Sequence, residues 1–213
     1  MEHFLQFLKR PTANNDRKKI EWLHFFALLF SFYLVMLPIG FFIKSMNSVF
    51  CISQKNLSLE ILPKILIAVA IAPIVEELFF RLLLIVNKRN LLLFSLMSLL
   101  LSIYSLFKVH YYQSIVLFIL STFAVILSAK DAGFKKMATR YYPIYFYAIA
   151  IIFGLGHFTN YNGITGFLYL WIPLLVLPQI IMGLYLGYIR VNYGIIYSIL
   201  FHMIINLIAV GSI

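Results

Sequence analysis

The chain has 213 residues, of which 63% are hydrophobic and only 11% charged, with a mean hydropathy of +0.96. A soluble domain carries roughly a quarter charged residues, so the composition excludes a soluble globular protein and indicates a polytopic membrane protein. The formal net charge is +10, but the cations sit between apolar runs, where they set topology and leave no case for a nucleic-acid partner; the single cysteine, Cys51, excludes an internal disulfide.

Residues 1–10 read as a short amphipathic helix on the membrane surface, ended by Pro11. Lys9, Arg10, Arg17, Lys18 and Lys19 form a basic collar, so residues 1–21 are expected to be a cytoplasmic segment. The first span is Trp22 to Ile43; no small-residue cleavage site follows it, which reads as a retained anchor and not a signal peptide. With the polar loop Lys44 to Lys64 it makes an anchor unit, residues 22–64. The second span, 65–86, is ended by Lys88 and Arg89. A short third span, 91–107, and a fourth, 114–129, are followed by a loop with Lys130, Lys135, Lys136 and Arg140. The fifth span covers about 141–158, and a turn-rich loop leads to the sixth, about 167–189. The sixth holds Pro173, Pro178 and a Gly183-x-x-x-Gly187 pair spaced for close helix packing. The seventh, 194–211, carries His202 and Asn206.

The expected fold is therefore an all-α transmembrane bundle of about seven spans. With the N-terminus cytoplasmic, inner segments hold 12 Lys and Arg and outer loops hold 4, the asymmetry expected of a multi-pass protein of the cell membrane.

The second span is the anomaly. Glu76, Glu77 and Arg81 lie near its middle, and each such group costs about 2.5–3.5 kcal/mol at the centre of a spanning helix unless it pairs or meets water. Glu77 and Arg81 are four apart and share a helix face, whereas Glu76 points about 100° away from Glu77. An ion pair that only fixes packing explains Glu77 and Arg81 but not Glu76. Pro73 lacks an N–H and is expected to break or restart the helix one turn earlier. The other five acidic residues fall in the tail, the collar or loops. Of five histidines, only His157 and His202 lie deep in or at the end of later spans; His202 and Asn206 share one face.

A carboxylate, two imidazoles and an amide from three helices suit hydrolysis. A carboxylate can take a proton from water. A histidine can share that water or hold a metal, and a His–Asn pair can donate to the oxyanion formed when water attacks a carbonyl. No serine or cysteine stands out as a nucleophile, and there is no H-E-x-x-H zinc motif.

Glu76-Glu77-x-x-x-Arg81, Phe153-x-x-x-His157 and His202-x-x-x-Asn206, in that order and each in an apolar span, resemble the three motifs of the CPBP family, also called Abi. This family comprises CAAX prenyl endopeptidases and bacteriocin-processing or immunity-type membrane proteins. The resemblance covers about residues 65–211 and implies an intramembrane protease domain over 65–213 with spans 2, 5 and 7 around a hydrophilic cavity. It implies that Glu76 activates water with His157, that His202 and Asn206 form the oxyanion hole, and that Glu77, Arg81 and Phe153 support them. The family has been described both as glutamate-dependent and as metalloprotease-like; a zinc ion here would take Glu76, His157 and His202. The implied substrate is a membrane-embedded or lipid-modified peptide. Two departures follow: residues 91–130 form a helical hairpin more than the family's usual spacing, and His157 lies near the outer end of its span, so span five must begin later than Tyr141 for the site to close. The competing readings are a non-catalytic binding or bacteriocin-immunity protein on the same fold, and an ion-coupled carrier, against which spans three, four and six offer no ionisable relay.

Overall fold

Lipid offers the backbone no hydrogen-bond partner, so apolar runs of this length satisfy themselves as helices. The computed structural model describes residues 1–13, 18–55, 60–129 and 131–211; Asp16, Arg17 and Lys130 lie outside them. Five stretches are long and apolar enough to cross a membrane: Trp22–Val49, Lys88–Phe107, Tyr111–Ala129, Tyr142–Asn160 and Gly166–Asn192. Ile195–Val210 is apolar but shorter, and residues 61–80 are helical in three pieces. The protein is a polytopic helical bundle.

Helix α1 (Glu2–Lys9) does not leave its apolar face for lipid. Phe4 is buried against the rings of Tyr185 and Tyr188, and the Tyr147 hydroxyl donates to the Leu8 carbonyl. Helix α2 (Trp22–Val49) runs past Lys44, so the loop that the sequence opens at Lys44 begins at Phe50 instead. Strand β1 (Ser53–Gln54) follows and pairs antiparallel with β2 (Tyr161–Asn162), tying the far end of α2 to the segment after His157.

The acidic segment is the least regular. Helix α3 (Ile61–Ile65) passes into a π-helical stretch, Leu66–Ile71, and then into α4 (Ala72–Phe80). Pro73 explains the change. An α-helical path would aim the proline ring at the carbonyl four residues back, and the wider π turn relieves that clash. Here the Ala72 N–H reaches the Ile67 carbonyl. The helix is modified ahead of Pro73, not broken.

The expected span 65–86 ends early. Helix α4 stops at Phe80, and Arg81 to Asn87 is irregular. Non-helical backbone at this depth survives only where protein satisfies it. Four side chains do so: Arg190 Nε donates to the Arg81 carbonyl at 3.0 Å, Tyr145 to Leu83 at 2.7 Å, Tyr142 to Leu84 at 3.0 Å and Asn90 to Ile85 at 2.6 Å. The Asn87 side chain then caps α5 (Lys88–Phe107) by accepting from the Asn90 N–H.

Helix α5 returns through α6 (Tyr111–Ala129) as a hairpin joined by a serine seam. Ser95 faces Ser121 with their Oγ atoms 3.0 Å apart, and Ser102 faces Ser114 at 2.9 Å. Ser102 and Ser114 can also donate to one another's carbonyls, and Ser121 to that of Ser95. Small hydroxylated residues let the two backbones approach closely.

Much of the expected basic loop is helix α7 (Asp131–Arg140), which leads into α8 (Tyr142–Gly156). After the 3-10 turn His157–Asn160, β2, a second 3-10 turn Gly166–Trp171 and α9 (Ile172–Leu175), the chain enters α10 (Leu177–Asn192). The Gly183–Gly187 pair seats α10 on α8. A Cβ at Gly183 would lie 3.2 Å from the Ala150 backbone, and one at Gly187 would lie 2.7 Å from the Phe146 ring. Helix α11 (Ile195–Gly211) completes the bundle, packed on α10, α4 and the π-helical stretch.

Candidate active site

Three segments bring their polar residues to one place. Glu76 comes from α4, His157 from the turn that ends α8, and His202 from α11. Glu76 Oε2 lies 3.7 Å from His157 Nε2 and 3.7 Å from His202 Nε2. Among the described residues it has no hydrogen-bond partner, although the oxygen itself is buried. The site is graded in access: Glu76 and His157 side chains are 28% and 19% exposed, and His202 only 1%.

The way His157 reaches Glu76 differs from the sequence expectation. Helix α8 does not begin late with Arg140 to Tyr145 at an interface; it starts at Tyr142, which is buried with Phe146 in protein. Its 15 residues span about 22 Å, and the chain then turns, so His157 sits on a short helix at the level of Glu76.

Each imidazole is held through Nδ1. His157 Nδ1 lies 2.8 Å from the Phe153 carbonyl, which can only accept, so that nitrogen carries the proton. His202 Nδ1 lies 3.2 Å from Glu77 Oε1 and donates to it. Both Nε2 atoms are thereby turned on Glu76. With both rings neutral, three acceptor atoms converge, an arrangement that calls for a bridging proton or water.

Glu77 organises this deeper layer. It is fully buried, receives Ser198 Oγ and His202 Nδ1, and lies 3.5 Å from Arg81 Nε. Arg81 is also fully buried, with its guanidinium carbon 4.4 Å above the Phe153 ring. The same ring packs edge-on against His157 and His202. Ser198 was not singled out by the sequence, although Ser198-x-x-x-His202-x-x-x-Asn206 puts all three on one face.

Asn206 is placed by the π-helical stretch. Ala72 gives its N–H to Ile67, and Pro73 has none to give, so the Ala68 carbonyl lacks a helical partner. Asn206 Nδ2 supplies one at 2.8 Å. The amide has a second N–H still to offer.

Two imidazoles and a carboxylate are chemically a zinc donor set, and rings anchored through Nδ1 are usual for metal-bound histidines. Zinc takes such donors at about 2.0–2.2 Å, but among the described residues no group of three His, Cys, Asp or Glu side chains is arranged to hold a metal ion. The 3.7 Å from Glu76 Oε2 to each Nε2 is somewhat wider than the separation of two donors on one tetrahedral zinc ion.

Beside the site, a cavity of about 290 Å³ opens next to the residues that follow His157. Its lining includes Phe158, Thr159, Tyr161, Asn162 and Lys55.

Comparison with curated proteins and with solved structures finds no match. A family model described as type II CAAX prenyl endopeptidase, Rce1-like, matches residues 58–208, a stretch that takes in all of Glu76, Glu77, Arg81, Phe153, His157, His202 and Asn206. The chain belongs to the Rce1-like family of type II CAAX prenyl endopeptidases, integral membrane proteases.

Proposed function

We propose that the protein is an intramembrane endopeptidase that hydrolyses a peptide bond in a membrane-associated, prenylated substrate. The observation that carries this reading is the position of Glu76 Oε2, 3.7 Å from each of two Nε2 atoms. Two acceptors at that separation can both be reached by one water about 2.8 Å from each.

A water donating to Glu76 Oε2 and His157 Nε2 keeps its lone pairs for attack. As it adds to the carbonyl carbon, one proton passes to Glu76. The carbonyl oxygen becomes an oxyanion, received by His202 and by the second N–H of Asn206. Donation from His202 Nε2 requires its imidazolium form, whose charge the Glu77 carboxylate faces at 3.2 Å. Collapse breaks the C–N bond, and the Glu76 proton goes to the leaving amine. Anchoring Nδ1 of both rings pre-orients them, so little reorganisation accompanies the reaction. The cavity beside His157, at the more exposed edge of the site, suits the approach of an extended peptide.

Glu76→Gln tests this. It keeps the size of the side chain and removes the base. The purified protein in proteoliposomes is given a prenylated reporter peptide, with an unprenylated copy as control. Cleavage of the prenylated reporter should fall by about 10²–10⁴-fold with the thermal midpoint unchanged. Cleavage at the wild-type rate by a correctly folded Glu76→Gln protein overturns the proposal.

A further inference from the structure

The far end of α2 from β1–β2 holds a second polar site that the hydrolytic reading does not use. Helix α1, the segment before α2 and the end of α10 meet there. The Lys18 N–H bonds the Asn192 carbonyl at 2.9 Å. Phe4 and Phe7 pack on the Tyr188 ring, with centroids 5.1 and 5.3 Å away. His24 Nε2 lies 3.4 Å from the Tyr188 hydroxyl. Between these elements is a cavity of about 330 Å³ whose lining includes His3, Lys18, Lys19, Glu21, His24 and Tyr188.

The charge of this lining is unbalanced. Among the described residues of the lining, two ammonium groups face one carboxylate, leaving a positive excess with both histidines neutral and a larger one when either is protonated. The 28-residue helix α2 starts at the cavity, and its N-cap residue Glu21 makes no side-chain cap hydrogen bond. Its first backbone N–H groups add partial positive charge there. The volume lies at the lower end of the range for small-ligand pockets. The neighbouring residues place the cavity at a bilayer surface: Trp22 is 55% exposed and Leu23 84% exposed at the start of a membrane-length helix. Anions abound at that level as phosphate groups, and basic pockets among helix ends are suited to them.

We propose that this cavity is a phosphate-binding site that takes a phosphodiester or phosphomonoester group, presented by a lipid headgroup or by a soluble phosphate compound. The ligand ties α1 to α2 and α10. Its binding therefore stabilises the docked form of the N-terminal helix, on which His3 and Phe7 line the pocket.

Thermal unfolding of the full chain in neutral detergent tests this in two arms. One titrates phosphatidylglycerol against phosphatidylcholine; the other titrates inorganic phosphate against chloride. A rise in midpoint with phosphatidylglycerol alone assigns the site to a headgroup, and a rise with inorganic phosphate assigns it to the phosphate itself. In either case Lys18→Gln/Lys19→Gln weakens the apparent affinity by about thirtyfold, and Lys88→Gln/Arg89→Gln, at the exposed start of α5, leaves it unchanged. His3→Gln, on the docked helix, replaces the double variant if that fails to fold. The proposal is overturned if neither ligand raises the midpoint. It is equally overturned if the Lys88/Arg89 variant loses as much affinity as the Lys18/Lys19 variant, because the response is then diffuse charge and not a site.

Discussion

Replacing Ser198 by alanine isolates one contact in the buried layer under the site. The hydroxyl has a single proton and two acceptors in reach, Glu77 Oε2 and the Leu186 carbonyl at 3.0 Å. Ser198 and Glu77 are both fully buried, so no water replaces the lost donor. A hydrogen bond to a charged group is worth about 1.5–3 kcal/mol, and the stability of Ser198→Ala should fall by that amount. The effect on turnover follows a different route. Ser198 does not touch the reacting atoms; it fixes the carboxylate that holds His202. If a loosened Glu77 costs the transition state about 1.4 kcal/mol, kcat falls about tenfold. KM should stay constant, since the oxyanion contact is made only as the reaction proceeds. Proteoliposome kinetics over a range of reporter concentrations, with chemical unfolding of the same preparations, measures both quantities. A variant with wild-type kcat and wild-type stability, or one whose change is confined to KM, refutes the view that Ser198 positions His202 through Glu77.

Three further outcomes follow from the packing and the site. Tyr142→Phe leaves the Leu84 carbonyl unpaired in the buried irregular segment, and chemical unfolding should register a loss of about 1–3 kcal/mol; no loss would mean that the carbonyl finds another donor. Gly154→Ala places a Cβ 2.9 Å from the Ile180 backbone nitrogen, and overpacking of this kind lowers stability by about 1–3 kcal/mol, read as a drop in thermal midpoint; an unchanged midpoint would show that α8 and α10 separate freely. Dialysis against a strong zinc chelator should leave reporter cleavage intact, as the scheme with Glu76 as base and water as nucleophile requires; activity lost on chelation and restored by zinc would refute that scheme.

The residues of the site were legible because each is expensive where it stands. A carboxylate or imidazole in an apolar run announces itself against the cost of burial, and Glu76, His157 and His202 do meet within 3.7 Å contacts. The helical period also separated Glu76 from the Glu77–Arg81 pair. What the period could not give was Glu77 as the holder of His202, because that contact joins residues 125 positions apart. Ser198 was hidden by its chemistry: serine is cheap in a membrane helix, and seven others line α5 and α6 as packing residues. The early end of α4 was invisible for a different reason. Arg81 to Val86 is as apolar in its tail as any helix, and what releases it from helical geometry is a set of distant donors, Arg190, Tyr142 and Tyr145. Hydropathy reports the solvent a segment prefers and says nothing of which side chains stand ready to bond its carbonyls.

The serine seam between α5 and α6 acts as a ruler for the hairpin it joins. The hydroxyl pairs recur seven residues apart on each strand of the hairpin, at 95 and 102 on one and at 114 and 121 on the other. A slip by one or two residues would separate these hydroxyl pairs and set Ser95 beside residues such as Leu120 or Phe123. A shift of one whole seven-residue repeat, about 10 Å, is farther than the three-residue link, Lys108 to His110, allows without unwinding. The hairpin therefore carries its own alignment and can reach its final form in the bilayer before the acid-bearing segment meets its histidines.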